Sequence, residues 1–209
     1  MKKQSSNNKK LTMYVLGTII ILLIYIVIKS IMITSYNSNL KAVKKMYDNN
    51  IIAEKITINK VRATQFVFLD DELKISINYD TFLKEGDTFN VVNTDGVKYT
   101  IKKEEVEDKT DYYQILSDVD KIYKDKVSIF TPFSTLKQRL KSFIKLKKQK
   151  DLDLIAALEG NSFKGYTYKK DNKYVFILNS KKGSIKLTFE GKNLSYDYLV
   201  SLLGTLQYD

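Results

Sequence analysis

Catalysis has little to work with in this chain. Its 209 residues include no histidine and no cysteine, which removes the usual general base near neutral pH, the thiol nucleophile and nearly all zinc-site ligand sets. Two S-x-x-K spacings, Ser134 to Lys137 and Ser142 to Lys145, would let a lysine take the proton of a serine nucleophile. With 35 basic residues in the chain such spacings arise by chance, and neither comes with an S-D-N or K-T-G element. Asp70, Asp71, Glu104 and Glu105 could supply a carboxylate pair for glycoside hydrolysis, but they read more simply as turn and surface acids. The glycines nowhere form a G-x-G-x-x-G or G-x-x-x-x-G-K phosphate loop. No catalytic, cofactor-binding or metal-ligating residue is assigned, and a non-enzymatic protein without a cofactor is expected.

One spacing rises above this background. Lys137, Lys141, Lys145 and Lys148 recur every three or four residues in a segment predicted helical from Ser134 to about Lys150, so they share one face and sum to a local positive potential. Leu136, Leu140, Phe143 and Ile144 take the other side. Such a face suits anionic lipid headgroups, anionic envelope polymers or an acidic partner; the bland alternative is a solvated face. Nucleic acid is not expected despite a net charge of +11. Only Arg62 and Arg139 supply guanidinium, the better bidentate reader of phosphate and guanine.

The element that would position this domain comes first in the chain. Leu11 to Ile28 carries no charged residue, and Ile31, Met32 and Ile33 extend it past Lys29 and Ser30. At 1.5 Å per residue the uncharged run is about 27 Å long, close to the roughly 30 Å thickness of a bilayer's hydrocarbon core. It exceeds the h-region of a secretory signal and lacks a small-residue cleavage site, so an uncleaved single-pass anchor over 11–33 is expected. Tyr14 would sit at one membrane interface, and Lys29 at the other would carry its ammonium out to water. Tyr25 lies deeper, where its hydroxyl needs a partner from the backbone or a neighbour. The tail 1–10, with Lys2, Lys3, Lys9 and Lys10 and no acid, is expected to stay in the cytoplasm, which leaves the remainder outside at the cell envelope. Lack of cysteine fits a bacterial exported domain that stands without disulfides.

Beyond the span, Leu40, Val43 and Tyr47 predict a juxtamembrane helix within 34–53. The rest, 54–209, is expected to fold as one extracytoplasmic α+β domain with an antiparallel, curved sheet and packed helices. Alternation predicts strands at Ile56 to Ile58, Phe66 to Leu69, Leu73 to Tyr79, Thr88 to Val92, Val97 to Lys102, Lys164 to Tyr168, Tyr174 to Leu178 and Ser184 to Phe189. A turn is expected at Asp70-Asp71 and a tight hairpin at Asp95-Gly96. Helices are predicted at about Asp111 to Tyr123, with Tyr112, Ile115, Val119 and Ile122 buried, and at Asp151 to Glu159, closed by Gly160. A terminal helix capped by Ser195 would bury Leu199, Leu202, Leu203 and Leu206.

The segments DTFNVVNTDGVKYTIKK, YTYKKDNKYVFIL and SIKLTFEGKNLSYDYLVSLL resemble the curved-sheet layout of LolA/RseB-like exported domains, and the closing strand, GKNLS and leucine helix are similar to the tails of Gram-positive membrane-anchored relatives of that group. The resemblance implies a non-enzymatic fold with an apolar concavity for a lipid, a lipidated ligand or a peptide, and it assigns no ligand residue. LolA itself is unanchored, and here a basic two-helix insertion interrupts the sheet. The plan of short tail, single span and outer α+β domain also resembles VirB8-like subunits of conjugation machines. Two expectations stand: an anchored binding or sensing module, or a structural subunit of a secretion, conjugation or division assembly with other membrane proteins as partners.

Overall fold

The computed structural model describes residues 2–63, 65–106, 112–117 and 127–208, with the side chains of 2–11 and 208 excepted. It divides into two compact units: Met1–Lys45 with Lys121–Lys148, and Met46–Asp120 with Gln149–Asp209.

The first unit is built on helix α1, Lys2–Asp48. The aliphatic run contains no proline and only Gly17, so nothing interrupts i to i−4 bonding. The polar stretch after it continues the helix with its side chains returned to the backbone: Thr34 Oγ1 donates to Ser30 O (3.0 Å) and Asn39 Nδ2 to Ser35 O (2.8 Å). The helix predicted within 34–53 is therefore the continuation of the apolar helix and not a separate element. The other described helix of this unit, α3, covers Phe133–Lys147 and starts just after Pro132, whose carbonyl accepts from Leu136 N at 3.0 Å. Tyr36 on α1 and Phe143 on α3, both fully buried, place their ring centroids 5.0 Å apart.

The second unit is α+β. Its main sheet has eight strands in the order β1 (Ile56–Thr57), β7 (Leu154–Glu159), β8 (Phe163–Lys170), β9 (Lys173–Ser180), β10 (Gly183–Glu190), β6 (Lys98–Glu105), β5 (Thr88–Asn93) and β4 (Tyr79–Glu85). Every pairing is antiparallel except β1 with β7, so the sheet is, as expected, mostly antiparallel, with one parallel pair at its edge. The sheet is open: it ends at β1 and β4. A small second sheet joins β2 (Val67–Phe68), β3 (Leu73–Ile75) and β11 (Gln207–Tyr208). Short turns set the register. Gly86 and Gly96 supply φ of 60° and 77° at the β4–β5 and β5–β6 turns. Asn93 Oδ1 fastens the second turn by accepting from Asp95 N (3.0 Å) and Val97 N (2.8 Å).

One face of the large sheet carries Phe89, Val91, Ile101, Leu158, Phe176, Leu178, Leu187 and Phe189, all buried in a single cluster. Helix α4 (Tyr196–Gly204) and the small sheet close over it with Leu199, Leu202, Leu203, Leu73 and Ile75. Ser195 caps α4, its hydroxyl oxygen accepting from Tyr198 N at 3.4 Å, and Leu206 is buried just beyond the helix end. The opposite face is covered at β7 and β8 by helix α2 (Tyr112–Ser117), whose Tyr112 and Leu116 are buried; Val119 and Ile122 of the predicted stripe lie outside the described residues.

Two predicted elements differ. Residues 151–159 form a turn and strand β7, not a helix. Ile155, Ala156, Ala157 and Leu158 are all essentially inaccessible, because β7 sits inside the sheet with cover on both faces. A short run apolar on every side carries no period that tells a doubly covered strand from a buried helix. The strand predicted from Leu73 to Tyr79 stops at Ile75, and β4 begins at Tyr79 in the other sheet.

Candidate functional site

Three surfaces hold the residues that sequence reasoning singled out. The first is the apolar stretch of α1. Every described large apolar side chain from Met13 to Ile28 is exposed, on all sides of α1, and Tyr14 is 74% exposed with its carbonyl accepting from Thr18 Oγ1 at 2.9 Å. Burying a leucine-sized side chain is worth about 1.5–3 kcal/mol, so this rod in water would forgo tens of kcal/mol. Among the described residues it is the one helix long and apolar enough to cross a membrane.

Lys29 departs from expectation. It is only 4% exposed, donates from Nζ to Tyr25 OH at 3.1 Å, and holds its ammonium 5.3 Å from the centre of that ring. A four-residue spacing stacks the two side chains on one face, so the deep tyrosine finds its partner in the lysine that was expected to reach water.

The second surface is the basic face of α3. Lys137, Lys141, Lys145 and Lys148 are all exposed, opposite the buried Leu136, Phe143 and Leu146. The amphipathic reading holds, except that Ile144 is 41% exposed and Leu146 takes the buried place assigned to it. Ser134 and Lys137 lie open to solvent, and Ser142 Oγ donates back to Gln138 O at 3.2 Å on the helix itself.

Just before α3 lies an apolar turn that no periodicity in the sequence announces. Thr131 N donates to Ser128 O (3.0 Å), Ser128 N to Thr131 Oγ1 (3.0 Å) and Phe130 N to Ser128 Oγ (3.2 Å), which locks a tight turn. It presents Phe130 at 89% exposure, flanked by exposed Ile129 and Phe133. The available signal was three large apolar residues crowded around Ser128, Thr131 and Pro132.

The third surface is the uncovered part of the sheet's outer face. Thr88, Thr100, Lys102, Glu104, Tyr168, Lys186 and Thr188 line an open depression of about 480 Å³. Glu104 accepts from Lys102 Nζ (2.7 Å) and Lys186 Nζ (2.8 Å), and these two bonds hold its carboxyl down to about 2. Of the candidate carboxylates, Asp70, Glu104 and Glu105 line one further depression of about 390 Å³ together with Glu72, Lys103 and Lys182. Asp70 is engaged by Lys103 and caps its own turn, its Oδ1 accepting from Glu72 N (2.8 Å) and Leu73 N (2.6 Å), while Asp71 is exposed. Among the described residues no cluster of three acidic, His or Cys side chains could hold a metal ion.

Within the second unit the described cavities are modest, from about 290 Å³ beside Phe163 and Leu203 to about 540 Å³ beside Tyr112, Tyr166 and Lys186. On the helix-covered side of the sheet, Leu199, Leu202 and Leu203 of α4 belong to the buried apolar cluster. Comparison with protein-family models, with curated proteins and with solved structures finds no match.

Proposed function

We propose that this protein is a single-pass membrane protein whose folded body stands outside the cytoplasm at the cell envelope and acts as a non-enzymatic binding or sensing module. The observation that carries the reading is the all-round exposure of apolar side chains over residues 13–28 of α1, a surface that only acyl chains satisfy without cost. The lysines of the tail 1–10 support the orientation. Of the ligands that the LolA/RseB-like resemblance implies, a peptide fits better than a lipid. The helix-covered face is occupied by Leu199, Leu202 and Leu203, whereas the open face offers threonines, lysines and Tyr168 to a polar, extended chain.

A carbonate wash and protease protection test the placement. The intact chain stays with the membrane, the chain lacking 11–33 does not, and a C-terminal epitope is cleaved in cells stripped of their outer layers; an epitope protected in such cells refutes the orientation. Lipid copurifying with the outer body in stoichiometric amount would refute the preference for a peptide.

A structural subunit of an envelope assembly is the second reading, and strand β4 favours it. β4 ends the large sheet, pairs only with β5 among the described strands, and exposes Tyr79 and Leu83. Such an edge is a template for strand addition by another chain. Copurifying membrane proteins lost on exchange of the anchor for an unrelated one, or on Leu83→Lys, would favour this reading over the first.

A further inference from the structure

We infer that the turn at Ser128–Pro132 is a second membrane contact, a wedge of Ile129, Phe130 and Phe133 that enters the outer headgroup boundary beside the span, and that α3 stands upright on it. The inference rests on the reading of α1 as the anchor.

It follows from the alignment of the two helices within their unit. Tyr36 meets Phe143. Seven residues before Tyr36 is Lys29, 4% exposed, and seven before Phe143 is Leu136, fully buried. If α1 and α3 run parallel, these two positions face one another, and Leu136 helps to cover the lysine stem. If they ran antiparallel, Lys29 would face position 150, beyond the last helical residue Lys147 and itself exposed. The chain ends of the two helices give the direction: three residues past α1, Ile51 O accepts from Ile155 N of β7 at 2.6 Å, and α3 ends at Lys147, seven residues before β7 begins, so both helices run toward the same strand and lie parallel.

A parallel α3 points its start toward the membrane. Phe133 precedes Phe143 by ten residues, about 15 Å of helix, which sets it level with Ile26, two residues inside the end of the exposed apolar run at Ile28, the level taken as the outer boundary. The turn carrying Phe130 reaches at least as far. Large exposed apolar side chains at that level continue the lipid-facing belt of α1. The three hydrogen bonds of the turn hold the wedge ready, so that little conformational entropy is lost on insertion.

The same geometry changes what the basic face can do. Lys137 lies one turn above Phe133, at headgroup height, where a lysine ammonium suits an anionic lipid. Lys148 lies eleven residues further along α3, about 16 Å away from the bilayer, beyond the screening length of about 10 Å at 0.1 M salt. The face does not lie flat on the membrane: Lys137 contacts lipid, and the upper lysines are left for another anionic partner.

The chain has no tryptophan, so single replacements report depth cleanly. Full-length Phe130→Trp, Leu22→Trp and Lys148→Trp are reconstituted in vesicles of phosphatidylcholine and phosphatidylglycerol carrying bromines at known acyl depths. The expected result is blue-shifted emission from Phe130→Trp, quenched most by bromines near the glycerol end. Leu22→Trp is quenched by bromines near the chain ends, and Lys148→Trp by aqueous iodide alone. Ile129→Trp repeats the first measurement at a second exposed site. If the tryptophans at 129 and 130 behave like that at 148 while that at 22 is quenched from within the bilayer, the wedge is overturned and the anchor stands. If all of them report water, the anchor reading fails and the wedge with it.

Discussion

Gly165 gives the sharpest test of the sheet. It lies in β8 opposite Leu178 of β9, in ordinary extended backbone, so alanine would strain no dihedral there. Space is what it lacks: a Cβ would collide with Ile177 O and stand 2.9 Å from Ile177 C. Both are backbone atoms of the neighbouring strand, so no rotamer change relieves the overlap. β9 would have to move by more than an ångström against β10, in the most buried part of the sheet. Over-packing a well-filled core costs about 1–3 kcal/mol where side chains can adjust; with two backbones in collision, Gly165→Ala is expected at or above the top of that range. Gly86→Ala separates this cause from the loss of backbone freedom. Gly86 has φ of 60° and nothing within 4 Å of an added Cβ, so it incurs only the left-handed penalty of roughly 1–2 kcal/mol. Urea unfolding of the two variants alongside the parent, with the slope checked for constancy, measures both. Gly165→Ala unfolding within 0.5 kcal/mol of the parent, or less destabilised than Gly86→Ala, would refute the packing of β8 against β9, a half-unit margin being about the size of ordinary surface effects.

Asn93→Ala is expected to cost about 1–2 kcal/mol, because two turn amides lose their acceptor, while Asn93→Asp retains most of the stability; equal loss in both would refute the turn role. Glu104 titrates at about 2 in the folded protein against an ordinary 4.5, so its bonds to Lys102 and Lys186 add stability above the ordinary value that is lost as pH falls between the two. Glu104→Gln should flatten that stretch of the stability profile between about pH 5 and pH 3; an unchanged slope would show the two ion pairs to be energetically silent. Glu159 is held at about 2 by Lys55 and Lys164 in the same way, so the flattening is partial.

Local signals carried much of the architecture. The uncharged run before Lys29, the Asp95-Gly96 hairpin, the Ser195 cap and the alternating segments of β8, β9 and β10 each have a short-range physical cause, and each stands where it was expected. The exposed lysines of α3 also follow from spacing alone. What failed depended on neighbours remote in sequence. β7 became a strand because β1 and β8 bond to its two edges and cover lies over both its faces, whereas the residues themselves are equally apolar in either conformation.

The sequence by itself determined which segments are apolar, charged or turning, since those properties belong to residues and their near neighbours. Only tertiary structure decided that Tyr36 packs against Phe143, that β4 is an edge and that Glu104 takes a second lysine, Lys186, from the neighbouring strand. Each of these is a relation between elements far apart along the chain, set by which surfaces pack, and no local pattern encodes it.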